Sequence, residues 1–152
     1  MWSRFFMEMI SNRTLWAVLI SGLSTQILKA FASIIWEKRL NWHRVLEAGG
    51  MPSSHSASSV TLASMVGFYQ GFDSVAFAIT LYIAFVVMYD AAGVRRAVGR
   101  QSIILNRILN SRSLKKRTGG EPLKELLGHT PVEVIAGAFI GLAWAWFFYY
   151  VV

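Results

Sequence analysis

The chain of 152 residues contains no cysteine, which excludes disulfide bonds and thiolate metal sites and says little about compartment. Acidic groups are scarce as well, eight against fifteen Lys and Arg, so the formal net charge is +7. Charged residues of both signs make up only 15% of the sequence. Proline occurs three times, and two of the three, Pro52 and Pro131, stand where apolar segments begin. No internal repeat is visible, and no compact His, Asp and Glu pattern argues for a bound metal. A chain this short is at most one domain, covering residues 1–152.

Apolar side chains are in excess. The hydrophobic share is 55%, with six Trp and ten Phe. Mean hydropathy is +0.46. Such values exceed those of ordinary globular domains and suit surfaces that meet lipid. Positive charge of this size fits nucleic acid or anionic lipid. Here the charges lie between apolar segments, so a bilayer partner is expected and no nucleic acid.

Four segments are candidates to cross a bilayer: about Thr14 to Trp36, Ser56 to Tyr69, Ser74 to Tyr89 and Pro131 to Val152. A span takes roughly 20 residues, with about 17 sufficient, so the middle two are short unless their flanks contribute. Gln70-Gly71-Phe72-Asp73 joins those two as a tight helical hairpin. The first segment lacks the basic start and small-residue cleavage site of a signal peptide. Between the third and fourth lies a polar stretch. Its first part, Arg95 to Leu114, mixes Val98, Ile103, Ile104 and Leu105 with Arg96, Arg100 and Arg107, the pattern of an interfacial helix with a cationic face. Lys115 to Gly120 then reads as a basic loop. The expected fold is all-α, an integral-membrane helical bundle of about four transmembrane helices plus that interfacial amphipathic helix.

Connectivity sorts the loops. If all four segments cross, one face receives Lys38, Arg39, Arg44, Arg95, Arg96, Arg100, Arg107, Arg112, Lys115, Lys116, Arg117 and Lys124, and the other keeps Arg4 and Arg13. By the positive-inside rule the basic face is cytoplasmic and both termini are outside, in a cell or inner membrane. All three histidines, His43, His55 and His129, fall on the basic face, together with Asp90 and Glu133.

Two helix mouths carry the chemistry. Pro52-Ser53-Ser54-His55 offers free backbone N–H groups, two hydroxyls and an imidazole, with Pro52 expected in the first helical turn. Ser53 or Ser54 suffices as a helix cap, but a cap has no use for imidazole. At the second mouth, Thr130 with Glu133 forms a capping box behind Pro131. Glu133 is either that cap or the carboxylate that orients His129, and both roles together require a distorted helix mouth. Asp90 beside Arg95 and Arg96 is an ion pair at the membrane edge, a support for an arginine that binds phosphate, or a ligand for a divalent metal. Lys29, costly within an apolar run, either snorkels or points into the site.

Three blocks, Gly49 to Ala57, Tyr89 to Arg96 and Leu123 to Pro131, together resemble the divergent branch of the type 2 phosphatidic acid phosphatase superfamily, which also holds vanadium-dependent haloperoxidases. The resemblance runs from about Lys29 onward. It implies that His129 attacks phosphorus, that Glu133 replaces the family's Asp at the same four-residue offset, and that His55 protonates the leaving group. Independently of the resemblance, the free N–H groups and hydroxyls of the Ser53-Ser54 mouth suit a phosphate; the resemblance implies that no metal is required, and no cofactor is expected. Ser54 stands where the family has Gly, and Leu123, with Lys124 beside it, stands where the family has its third-motif arginine. Lys29, Lys38 and Arg44 are the candidates for the first motif, none followed by Pro, and Arg95 or Arg96 is placed to compensate. The expected activity is hydrolysis of a lipid phosphate or prenyl (di)phosphate through a phosphohistidine. The alternative is a non-catalytic protein that binds or moves phospholipid or an anionic solute.

Overall fold

A computed structural model describes residues 2–38, 49–109, 123 and 128–152, and among them all regular structure is helical. Six helices follow in order: α1 (Trp2–Ile10), α2 (Arg13–Glu37), α3 (Ser54–Gln70), α4 (Val75–Ala92), α5 (Val94–Leu109) and α6 (Pro131–Tyr150). The four expected spans correspond to α2, α3, α4 and α6. The short helix α1 was not legible as a separate element. It buries no side chain, and the Trp16 indole donates to Ile10 O at 2.7 Å across the turn that joins it to α2.

Among the described residues three stretches are long and apolar enough to cross a membrane by themselves: Arg13–Ile34, Val75–Leu109 and Pro131–Tyr150. Helix α3 has 17 residues and is rich in hydroxyls, and it lies in the centre, packed on α2, α4 and α6. Its neighbours cover the polar side chains, so α3 does not need a uniformly apolar surface. Hydroxyls inside the bundle bond to the preceding turn, as Ser59 Oγ does to His55 O at 2.8 Å. Thr61 Oγ1 sits 2.7 Å from Ala57 O, 2.9 Å from Ser21 Oγ and 3.0 Å from Gly141 O, tying three helices at one level.

Small residues set the spacing. Gly137 and Gly141 of α6 face α3, and a Cβ on Gly141 would lie 2.5 Å from Ala57 O. A Cβ on Gly137 would strike Ser53 O. Close backbone approach of this kind is how helices gain dispersion contact where lipid is as apolar as the side chains. At the end remote from the histidines the packing turns apolar, with Ala17, Met65, Ala145 and Phe148 buried and Phe68 stacked on Tyr149 at 5.0 Å.

The hairpin forms as expected. Gly71 takes φ 89°, a left-handed value that favours glycine, and Ser74 caps α4 by accepting from Phe77 N at 3.1 Å. At its other end α4 passes into α5 through Gly93, with helical bonds on both sides: Gly93 N to Tyr89 O at 2.8 Å and Ala97 N to Gly93 O at 2.9 Å. Together they run 35 residues, about 52 Å if straight, against a hydrocarbon core of about 30 Å. The arginine-bearing α5 therefore has to leave the core or bend along its surface. Helix α5 turns Val98, Ile104, Leu105 and Ile108 outward, while Gly99, Ser102 and Asn106 are its buried stripe.

Candidate functional site

The two helix mouths read from the sequence meet. The rings of His55 and His129 lie 5.8 Å apart, inclined at 68°. His55 is half-buried in the first turn of α3, and His129 is 1% exposed, just ahead of α6. One backbone bond joins the two mouths, and a second ties the His129 mouth to α4. Ser53 N donates to Glu133 O at 3.0 Å, and His129 N donates to Ala91 O at 2.9 Å at the end of α4. Gly128 lets that segment lie on the start of α5, since a Cβ there would sit 2.7 Å from the Arg95 carbonyl carbon.

The His129 tautomer follows from its partners. Nδ1 lies 3.1 Å from Glu133 Oε2 and 3.1 Å from Gly50 O, both acceptors, so Nδ1 carries the proton and Nε2 keeps a lone pair. Gly50 has φ 79° and open space around its α-carbon, so backbone conformation, and not room, asks for glycine there. Burial pushes the His129 imidazole below its ordinary value. The Lys29 charge pushes the same way, and the hydrogen bond and charge of Glu133 oppose both. A neutral ring at neutral pH is the result.

Glu133 performs both roles that the sequence left as alternatives. Its Oε2 also accepts from Thr130 N at 3.1 Å, and Thr130 Oγ1 accepts from Glu133 N at 3.4 Å, completing the capping box. The distortion expected for this double role is not needed, because one oxygen meets both donors and Thr130 keeps an ordinary extended cap conformation. Pro52 also departs from expectation. It precedes the cap instead of opening the helix, because Ser53 takes the cap position, its Oγ accepting from Ser56 N at 3.4 Å. Ser53 is fully buried, whereas Ser54 is half-buried beside α2.

The cationic candidates separate. Lys29 is 4% exposed in α2, and its charge acts on both histidines. Arg95 and Asp90 also act on His55, and Arg95 Nε pairs with Asp90 Oδ2 at 2.7 Å. That bond leaves the outer guanidinium nitrogens of Arg95 outside the pair. Arg96 is half-buried in the same turn of α5. Lys38 is exposed at the far end of α2, nine residues beyond Lys29 and so about 14 Å along the axis. Arg44 and Lys124 lie outside the described residues, as does His43.

Four buried side-chain atoms have no hydrogen-bond partner among the described residues: Gln26 Oε1, His55 Nδ1, Ser56 Oγ and His129 Nε2. Three belong to the two mouths. Ser56 and the Gly50 carbonyl were not foreseen, since a serine within a helical run and a main-chain carbonyl two residues ahead of Pro52 carry no chemical signature of their own. Leu123 is held by Asn106, whose side chain donates to Leu123 O at 2.9 Å and accepts from Leu123 N at 2.8 Å. Among the described residues no three His, Asp or Glu side chains converge as a cation cage.

The chain is similar to known proteins. The Divergent PAP2 family matches residues 10–144. The chain is 36% identical over 147 residues to a protein of Bacillus subtilis (strain 168) called uncharacterized membrane protein YuiD, covering 90% of this chain and 93% of that one. No solved structure matches. Both histidine mouths, the small-residue bundle and the α4–α5 junction lie within the matched region, and the chain belongs to the Divergent PAP2 family.

Proposed function

We propose that this membrane protein is a phosphohydrolase for a lipid phosphate or prenyl (di)phosphate, working through a phosphohistidine at His129. The observation that carries this reading is the held Nδ1 of His129, which leaves a buried Nε2 lone pair beside the second imidazole. Nε2 attacks phosphorus and the N–P bond forms. The P–O bond to the alcohol breaks, its electron pair stays on the alcohol oxygen, and His55 gives that oxygen a proton. Water then attacks the phosphohistidine, His55 takes the water's proton, and the N–P bond breaks to restore His129. Glu133 stabilises the charge that grows on the His129 ring as it attacks.

Lys29 and Arg95 supply the positive field for the phosphate oxygens, and Asp90 orients Arg95 in place of the missing third-motif arginine. Seating a phosphate between the rings requires them to part. His55 is the ring with an exposed side toward which to turn. Protein purified in detergent is expected to release inorganic phosphate from phosphatidate, phosphatidylglycerophosphate or prenyl phosphates, and vanadate should inhibit it. His129→Ala should lower turnover on the order of 10³-fold or more. Unchanged turnover in folded His129→Ala protein removes the nucleophile assignment. Saturable lipid binding that survives loss of both histidines, with no phosphate released from any of these lipids, selects pure recognition instead.

A further inference from the structure

Two apolar grooves flank α4. One lies between α4 and α6, lined by Phe85, Tyr89, Pro131 and Ile135 among others, and includes neither histidine. The second, of about 540 Å³, runs between α2 and α3 with Val87 of α4 at its edge. Leu19, Leu23 and Leu62 line its length, and His55 with Gln26 forms its polar end. His55 Nδ1 and Gln26 Oε1 are both buried without a partner among the described residues, so hydrogen-bonding capacity is concentrated where the groove meets the site. Its floor is drawn in where Gly22 meets Ser58, for a Cβ on Gly22 would lie 2.6 Å from Ser58 Oγ. From Val18 to Gln26 the groove follows eight residues of α2, about 12 Å, against a half-bilayer of about 15 Å.

We propose that the α2–α3 groove receives the hydrocarbon chain of a single-chain lipid phosphate, placing its ester oxygen at His55. This rests on the phosphohydrolase reading, in which the alcohol leaves toward His55, the residue at which the groove begins. Charge agrees with that polarity. Lys29 and Arg95 act on His55 at one end, and the remaining length is predominantly aliphatic. The groove is one channel between two helices, so it takes one chain. A diacyl phosphate leaves its second chain in the bilayer and gains nothing from it here.

The test uses water-soluble n-alkyl monophosphates from butyl to octyl with the full chain in detergent. In the unaltered protein kcat/KM should rise about fourfold per added methylene, the partition expected for a chain leaving water. Ser58→Leu fills the floor and should reduce the rise to under about 1.5-fold per methylene. Leu19→Trp, substituted at the exposed rim, repeats the test should Ser58→Leu not fold. Val86→Trp, in the α4–α6 groove, should keep the slope. The same slope in all variants overturns the groove, as does a slope lost only in Val86→Trp.

If no alkyl phosphate releases phosphate, the groove is decided by binding, and the phosphohydrolase reading fails only if the lipid phosphates named above release none either. The chain has no cysteine, so Leu23→Cys gives one thiol in the groove and Leu142→Cys one on the exposed face of α6. Dodecyl phosphate should slow maleimide alkylation of Leu23→Cys at least fivefold more than that of Leu142→Cys. Equal effects at both positions overturn the proposal on their own.

Discussion

Glu133 shows how much one side chain can hold. Its Oε2 receives the His129 Nδ1–H and the Thr130 N–H, so the group that closes the helix also fixes the imidazole tautomer. Glu133→Gln keeps an acceptor for the cap and loses the charge. Its activity should fall on the order of 10²- to 10⁴-fold, as when a triad carboxylate becomes an amide. Stability should change by less than about 1 kcal/mol, because the cap survives. Glu133→Ala should lose the same activity and about 1 kcal/mol more.

The pH profile separates these effects. His129 must be neutral to attack, and burial holds its pKa below the ordinary value near 6.5. The acid limb of kcat/KM should therefore lie below pH 6.5. Glu133→Gln removes the charge that raises the pKa, so its acid limb should move to still lower pH. An unmoved limb means that another group titrates there. Stability carries the same sign. As pH falls below about 6.5 the unfolded chain takes up its His129 proton before the folded one, so His129 lowers stability until the folded pKa is passed.

Much of this residue-level picture was legible. His55, His129 and Glu133 are chemically conspicuous at helix mouths, and connectivity alone put them on one face. What escaped was everything carried by backbone: the Gly50 carbonyl, the Ala91 carbonyl and the close seat of Gly128 on α5. Main-chain groups have no signature in a sequence until the fold says which of them meet.

At the scale of elements, periodic apolar runs located α2, α3, α4 and α6 within a few residues. They did not reveal why α3 is central. Its buried face is Ser56, Ala57, Ser59, Thr61, Ala63, Ser64 and Gly67 with Met65, which reads as a weak span by hydropathy and is in fact the most covered helix of the four. Smallness, not apolarity, marks the interface.

Gly141→Leu and Gly137→Leu should consequently be among the most damaging changes outside the histidine pair. Each forces α6 away from α3, where even a Cβ meets backbone oxygen. Overpacking of this kind costs about 1–3 kcal/mol or more. Gly137→Leu should also lower activity, because Ser53 O lies beside it and the Ser53 N–H bond to Glu133 O joins the two mouths. Thermal unfolding in detergent together with phosphate release checks both. A Gly137→Leu protein with unaltered melting and turnover would show that α3 and α6 do not meet as closely as described.

For the whole molecule the open quantity is which way the bundle faces. The twelve basic residues assigned to the histidine side, against two on the other, argue for a cytoplasmic site by the positive-inside rule. The geometry adds a physical reason for the bias to act locally. Helices α4 and α5 together are longer than a bilayer is thick, so the Arg95, Arg96, Arg100 and Arg107 segment has to sit at or beyond one surface, close to the histidine end. Two single-cysteine proteins test this without background from native thiols: Thr118→Cys in the basic stretch 115–120 of the sequence, which lies outside the described residues, and Asp73→Cys in the α3–α4 turn. On intact cells a membrane-impermeant maleimide should label Asp73→Cys and spare Thr118→Cys, and permeabilisation should expose both. The reverse pattern places the histidine pair on the outer face, where its substrate would be an exported lipid phosphate. Labelling of both on intact cells would mean that the α3–α4 hairpin does not cross, and with it the four-span topology would fall.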